Sequence, residues 1–250
     1  MIRRRARLAA FLLLWVGALG AGSCSAWSRE SGEWWRARRD SSGQAPDPAQ
    51  AREPVVQVYA ARAVGWRSAL AVHTWIALKR RDALAYTRYE VIGWGVERGV
   101  RAVRIDRFGP DNYWFGARPD RLVDLRGDAV EAVIDRLEAA IARYPYATSY
   151  RTFPGPNSNT FIAWLGREVP DLRLDLPPTA IGKDFLPNGR LVGRSPGGRG
   201  FQLSLLGLGG VLAGWEEGVE VNVLGLTFGV DVKEPALKLP GIGRVGHPGN

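Results

Sequence analysis

The chain has 250 residues, 46% of them hydrophobic and 24% charged, and a formal net charge of +9. That composition excludes wholesale disorder and collagen-like or coiled-coil architectures, and the length suits one domain of roughly 200 residues plus an appendage. A single Cys excludes an intramolecular disulfide and a Cys-based zinc site, and two His exclude a multi-histidine metal centre, so no metal or cofactor is expected.

The charge is unevenly placed. Residues 1–40 hold eight Arg and three acids, whereas residues 41–250 hold 26 basic and 22 acidic side chains. A nucleic-acid-binding protein carries its basic excess as a patch on the folded domain. Here Lys79-Arg80-Arg81 and Arg98, Arg101 and Arg104 form only short runs, each followed by an acidic residue, and they read as solvated surface. No nucleic-acid partner is expected.

Arg3, Arg4, Arg5 and Arg7 precede an apolar run, and the stretch from Leu8 to Trp27 carries no charge. This is the pattern of an export signal. Twenty helical residues also suffice to cross a bilayer of about 30 Å, with the Arg cluster on the cytoplasmic side. Three fates are open: cleavage after Cys24-Ser-Ala26, retention as a membrane anchor, or lipidation at Cys24 within Ala21-Gly-Ser-Cys24. All three predict an exported, periplasmic domain tethered to or released from the inner membrane, and a membrane partner through the N-terminal segment.

Residues 28–53 read as a linker, with turn formers across Ser41–Pro48. The folded part is expected from residue 54 to the C-terminus. Val55–Arg62, Ala69–Leu78, Tyr86–Trp94 and Val100–Ile105 predict an antiparallel meander. The period then changes. Asp128 is placed to cap a helix over residues 129–143, whose Val130, Val133, Ile134, Leu137 and Ile141 share one face, and Tyr144-Pro145 ends it. A second helix is predicted over Thr160–Glu168. Two Gly-containing strands follow, Phe201–Ala213 and Val219–Val232, joined by a turn at Glu216-Glu217-Gly218. The fold class is therefore α+β, an antiparallel sheet with a few helices.

Two segments carry candidate chemistry. Val72-His73-Thr74-Trp75 places a His in an apolar strand. Gly155-Pro-Asn157-Ser158-Asn159-Thr160-Phe161 places a polar cluster at a helix N-terminus, where free N–H groups favour an anion or a developing oxyanion. A Ser hydroxyl needs an adjacent base to attack a carbonyl. His73 is the better candidate, because His247 lies three residues from the C-terminus. If strands 69–78 and 86–95 pair about residue 82, Glu90 shares a face with His73 and can orient it. Each residue has a plainer alternative. Ser158 also fits a helix cap, His73 a hydrogen-bonded strand residue and Glu90 a surface carboxylate. Lys183 can be a second base for Ser158 or half of an ion pair. Tyr150, with the neighbouring aromatics Tyr144, Tyr146 and Phe153, can line a pocket or fill core.

A strand His followed by Asn-Ser-Asn-Thr-Phe opening a helix resembles the circularly permuted papain-like superfamily, which includes lecithin:retinol acyltransferase-like proteins and permuted deubiquitinase-like peptidases. There the matching segment carries a Cys nucleophile and an upstream strand His is its base. The resemblance implies a permuted papain-like fold, with Ser158 in the nucleophile position, His73 as base, and the Ser158 or Asn159 backbone N–H as oxyanion donor beside Asn157. It supplies no third residue. Ser replaces Cys, and Cys24 lies in the N-terminal segment, so thiol catalysis by the folded part is excluded. The stretch from Val55 onward also resembles a bacterial envelope family, domain of unknown function 3750. That likeness rests on Val56-Gln-Val-Tyr-Ala-Ala-Arg62, His73-Thr-Trp75, the Ser158 segment, Ala180-Ile-Gly-Lys-Asp184 and the Gly-rich C-terminal strands.

Three functions compete. One is a Ser–His hydrolase or acyltransferase acting on an envelope amide or ester, with a peptide or lipid substrate. The second is a catalytically inert papain-like binding or scaffold module. The third is a membrane-associated structural protein whose C-terminal hairpin meets lipid or a partner.

Overall fold

The computed structural model describes residues 35–246. The Leu8–Trp27 run, Cys24 and His247 lie outside the described residues. Among the described residues no helix is long and apolar enough to cross a membrane.

The described residues are mixed α+β, with two antiparallel sheets and two α-helices. The first sheet holds β1 (Val55–Arg62), β2 (Val72–Lys79), β3 (Thr87–Val91), β4 (Val103–Ile105) and β5 (Asp120–Arg126), in the order β4-β3-β2-β1-β5. The central strands β1 and β2 are buried along almost their whole length, which is why their sequences run apolar without strict alternation. Their two faces still differ. Val56, Val58, Ala60, Ile76 and Leu78 join the core beneath the helices. Tyr59, Ala61 and Trp75 form a second, smaller cluster with Trp114 and Ile92.

Helix α1 (Val130–Ala142) buries Val133, Ile134 and Leu137, the face its period predicts. Asp128 does not cap it. Ala129 occupies the cap position without a side-chain bond, and the Asp128 carboxylate is spent on Arg81 instead. Helix α2 (Ser158–Glu168) lies across β2 and places Phe161, Ile162 and Leu165 in the main core.

The second sheet is a sequential run: β6 (Val192–Arg194), β7 (Gly200–Ser204), β8 (Gly209–Gly214), β9 (Gly218–Val223), β10 (Leu226–Asp231), β11 (Ala236–Leu239) and β12 (Gly243–Gly246). The two predicted long strands are thus four. Leu206 and Gly207 take φ of 54° and 78°, and Leu224 and Gly225 take 52° and 80°, so the chain reverses at both places.

Elsewhere the expected boundaries shift for local reasons. Leu70 and Ala71 bond back to the Arg67 carbonyl, closing a 3-10 turn over Gly65–Ala69, so β2 starts at Val72 rather than Ala69. Strand β5 escapes the pattern because charge fills four of its seven positions; it pairs with β1 as an edge strand. Part of the expected linker is fastened down. Asp111 accepts from Ser41 Oγ at 2.8 Å and from the Gln44 N–H at 2.6 Å.

The second sheet meets the segment that follows α2 through polar groups. Lys183 is paired with Glu220, and Lys238 bridges Glu220 (2.9 Å) and Asp175 (2.6 Å). Asp184 accepts from Gln202 at 2.6 Å and Asn222 at 2.8 Å. Buried charge of this kind is tolerated only when its partners are in place.

Candidate functional site

Helix α2 opens with a complete capping box. Asn157 is the cap, and its Oδ1 accepts from the N–H groups of Asn159 (3.0 Å) and Thr160 (3.1 Å). Thr160 Oγ1 accepts from the Asn157 N–H at 3.1 Å. Asn157 Nδ2 donates to the carbonyls of Thr152 (2.9 Å) and Ile181 (3.0 Å). Ser158 is therefore the first helical residue and not the cap, and it is buried. The Asn159 N–H is consumed by the cap and is withdrawn as an oxyanion donor. The Ser158 N–H is the donor left at this terminus.

Asn159 locks the helix to β2. Its Nδ2 donates to the Val72 carbonyl at 3.1 Å and the Ile181 carbonyl at 2.8 Å, and its Oδ1 accepts from Thr74 Oγ1 at 3.0 Å. Both chain neighbours of His73 are thus bonded to the residue that follows Ser158.

The His73 ring lies with Trp75 and Trp114, while Thr74 points to the helix. His73 Nε2 lies 2.8 Å from Glu90 Oε2. Glu90 sits opposite Trp75 in the β2–β3 register, so the imidazole reaches it diagonally. Arg88, two residues earlier on β3 and on the same face, donates to the same Glu90 oxygen at 2.9 Å. Glu90 Oε1 and Arg88 Nε are buried without a hydrogen-bond partner among the described residues. Trp114 stacks on the His73 ring at a centroid distance of 3.8 Å and 11° between planes. The Arg88 guanidinium lies 4.0 Å from the Trp75 ring centroid.

Electrostatics fix the protonation states. Burial lowers the His73 pKa below its ordinary 6.5, outweighing the pull of Glu90. Burial opposes ionisation of Glu90, but His73 and Arg88 overcome it and hold the carboxyl below its usual 4.5. At neutral pH the trio is a neutral imidazole, a carboxylate and a guanidinium. An acceptor-only carboxylate at Nε2 requires the Nε2–H tautomer and leaves the lone pair on Nδ1.

The structure brings together His73 and Glu90, and by way of Asn159 it brings the Ser158 segment against the strand that bears His73. Ser158 and His73 share no hydrogen bond. Tyr150 is half-buried and covers Gly93, where a Cβ would lie 2.4 Å from the Tyr ring. Lys183 is removed as a base for Ser158, because its Nζ is buried against the Leu176 carbonyl and Glu220. Sequence reasoning missed Arg88 and Trp114. The first had a legible signal, since a carboxylate buried on a strand demands a cation and Arg88 is the same-face neighbour. The second comes from a loop with no pattern to read. A separate groove of about 570 Å³ between the sheets is lined by Arg62, Asp120, Arg173 and Lys233 among others, and His73, Glu90 and Ser158 are not in its wall. Among the described residues no cluster of His, Cys, Asp and Glu is arranged to hold a metal ion.

The profile of the family described as Protein of unknown function (DUF3750) matches residues 53–185. The chain belongs to this family. The match covers the first sheet, both helices and the Ser158, His73 and Glu90 positions, and it ends before the second sheet. No curated protein and no solved structure gives a significant match.

Proposed function

We propose that this DUF3750 member is an acyl-transfer enzyme of permuted papain-like type, a hydrolase or acyltransferase with Ser158 as nucleophile, His73 as base and Glu90 as the group that orients the base. The observation that carries this reading is the His73–Glu90 contact. It fixes one ring nitrogen and leaves Nδ1 as the acceptor, on a strand whose Val72 and Thr74 are bonded to the residue after Ser158, and the Ser158 hydroxyl has no hydrogen-bond partner among the described residues.

In the reaction, Ser158 Oγ attacks a carbonyl carbon as its proton passes to His73 Nδ1. The tetrahedral oxyanion faces the Ser158 N–H at the positive end of α2. Collapse expels an amine or alcohol that takes the proton from His73, leaving an acyl ester on Ser158. Water or a second nucleophile, deprotonated by His73, then attacks the acyl ester, and the collapsing intermediate expels Ser158 Oγ, which takes the proton back from His73. Glu90 keeps the tautomer and steadies the transient imidazolium. Because the His73 ring stacks on Trp114 and α2 packs on the other face of the sheet, the reaction requires the imidazole to leave that stack and turn toward Ser158 Oγ before the proton can pass. An apolar N-terminal run behind four Arg supports an exported, membrane-tethered site acting on envelope amides or esters.

The test is hydrolysis of a panel of activated esters and peptide amides by the purified chain. Turnover that falls at least about a hundredfold in both Ser158→Ala and His73→Ala supports the reading. Turnover indifferent to both removes it.

A second reading is a catalytically inert binding module of the same fold. It is favoured by the direction of the His73 side chain, which lies on the Trp114 face while α2 packs on the opposite one. On that reading the Arg88–Glu90–His73 chain only stabilises the sheet.

A further inference from the structure

We propose that the outer face of the second sheet binds the surface of an anionic lipid bilayer. This inference does not depend on the proposed acyl-transfer site.

The sheet is inverted relative to an ordinary amphipathic one. Its inward residues are Gln202, Glu220, Asn222 and Lys238, all buried against the family domain. Its outward residues are apolar. Phe201 and Leu203 on β7 stand opposite Ala213 and Val211 on β8, which stand opposite Val219 and Val221 on β9. The row continues through Val230 to Leu237 and Val245. Phe201 is 50% exposed, Val219 55% and Leu237 52%, so nothing in the described chain covers them. Contiguous apolar patches of more than a few hundred Å² are rare on soluble monomers and mark a contact site. The patch is extended at its ends by Leu206 and Leu224 in turns and by Trp215, which is 61% exposed. An indole at such a rim suits the headgroup level of a bilayer.

Charge selects the occupant. The exposed charged residues of the 186–246 segment are Arg190, Arg194, Arg199, Lys233 and Arg244, against Glu234 alone. Lys233 and Arg244 have carboxylate partners, whereas Arg190, Arg194 and Arg199 carry no ion pair among the described residues. Arg194 stands on the apolar face itself, opposite Phe201. Two copies packed face to face would bring these cations together, whereas anionic headgroups neutralise them and the acyl region takes the Val, Leu and Phe side chains.

The test uses the full chain with Cys24→Ser and one introduced cysteine carrying an environment-sensitive fluorophore. Val221→Cys reports the outer face, and Asp135→Cys on α1 is the control. Circular dichroism confirms that each variant is folded. Vesicles of phosphatidylcholine with phosphatidylglycerol should give a blue shift and a several-fold rise in emission at position 221, much less with phosphatidylcholine alone, and none at position 135. No response at 221 overturns the proposal, as does the same response at both positions or with both vesicle types. So does a label at 221 already blue-shifted without lipid. If dilution then reverses the shift, the occupant is a second copy; if not, it is another segment of the chain.

Discussion

The Thr74 hydroxyl donates to Asn159 Oδ1 across 3.0 Å, and this bond sets helix α2 against strand β2. With the Asn159 Nδ2 bonds to Val72 and Ile181, it determines how the first helical turn approaches the His73 strand. Asn159→Leu leaves the Val72 carbonyl and the Thr74 hydroxyl without this partner in a buried position, at about 1–3 kcal/mol for each group left unsatisfied, while the Ile181 carbonyl keeps Asn157. Thr74→Val removes one of the three bonds. Urea unfolding is expected to show a far larger loss for Asn159→Leu than for Thr74→Val. Equal losses would mean that Asn159 is not the lock.

Acid should weaken the fold in two steps. His73 has its pKa lowered by burial, so the unfolded chain takes up its proton first, and stability falls as pH drops below the ordinary 6.5. Glu90 is also held below its usual 4.5, so its contribution, full above that value, is lost as pH falls further through the native pKa. His73→Gln is predicted to flatten the stability profile just below pH 6.5 while leaving the lower step. An unchanged profile in His73→Gln would show that this imidazole is not the group titrating. If His73 is also the base, activity falls on the acid side as the ring protonates.

The contact between the second sheet and the segment that follows α2 depends on paired buried charge. Lys183→Met leaves Glu220 with Lys238 as its remaining partner, so the expected loss is measurable but below the roughly 3–5 kcal/mol of a buried ion left wholly unpaired. Replacing Lys183 and Glu220 together by Met and Leu should recover part of that loss. Chemical denaturation of the single and double variants checks this. A single variant as stable as the parent would contradict it.

Gly182 is a glycine for a steric reason. Its φ is +100°, and a Cβ there would lie 2.3 Å from Asn157 Nδ2. Gly182→Ala is predicted to displace the cap and destabilise the chain by more than the roughly 1 kcal/mol of a lost N-cap alone. Thermal unfolding beside Asn157→Ala tests the ordering.

Much of this architecture is legible in the sequence where periodicity and turn chemistry speak together. The β1–β4 meander, the apolar face of α1 and the helix that opens near Ser158 follow from local pattern. The pairing of β2 with β3 about residue 82 also follows from strand alternation, and it puts Glu90 beside His73. What was not legible depends on distant partners. Asp128 looks like a cap until Arg81 claims it. Lys183 looks available to Ser158 until Glu220, 37 residues on, takes it. Strand β5 carries too much charge to read as a strand and becomes one because β1 offers it an edge. The inversion of the second sheet is invisible because alternation does not say which face meets the core.

The most direct measurement is labelling of Ser158 by a fluorophosphonate, mapped by peptide mass spectrometry on the folded full chain. The proposed chemistry predicts an adduct on Ser158 that is lost in His73→Ala and reduced in Glu90→Gln. A folded chain with Ser158 unmodified, or labelled equally without His73, would contradict it.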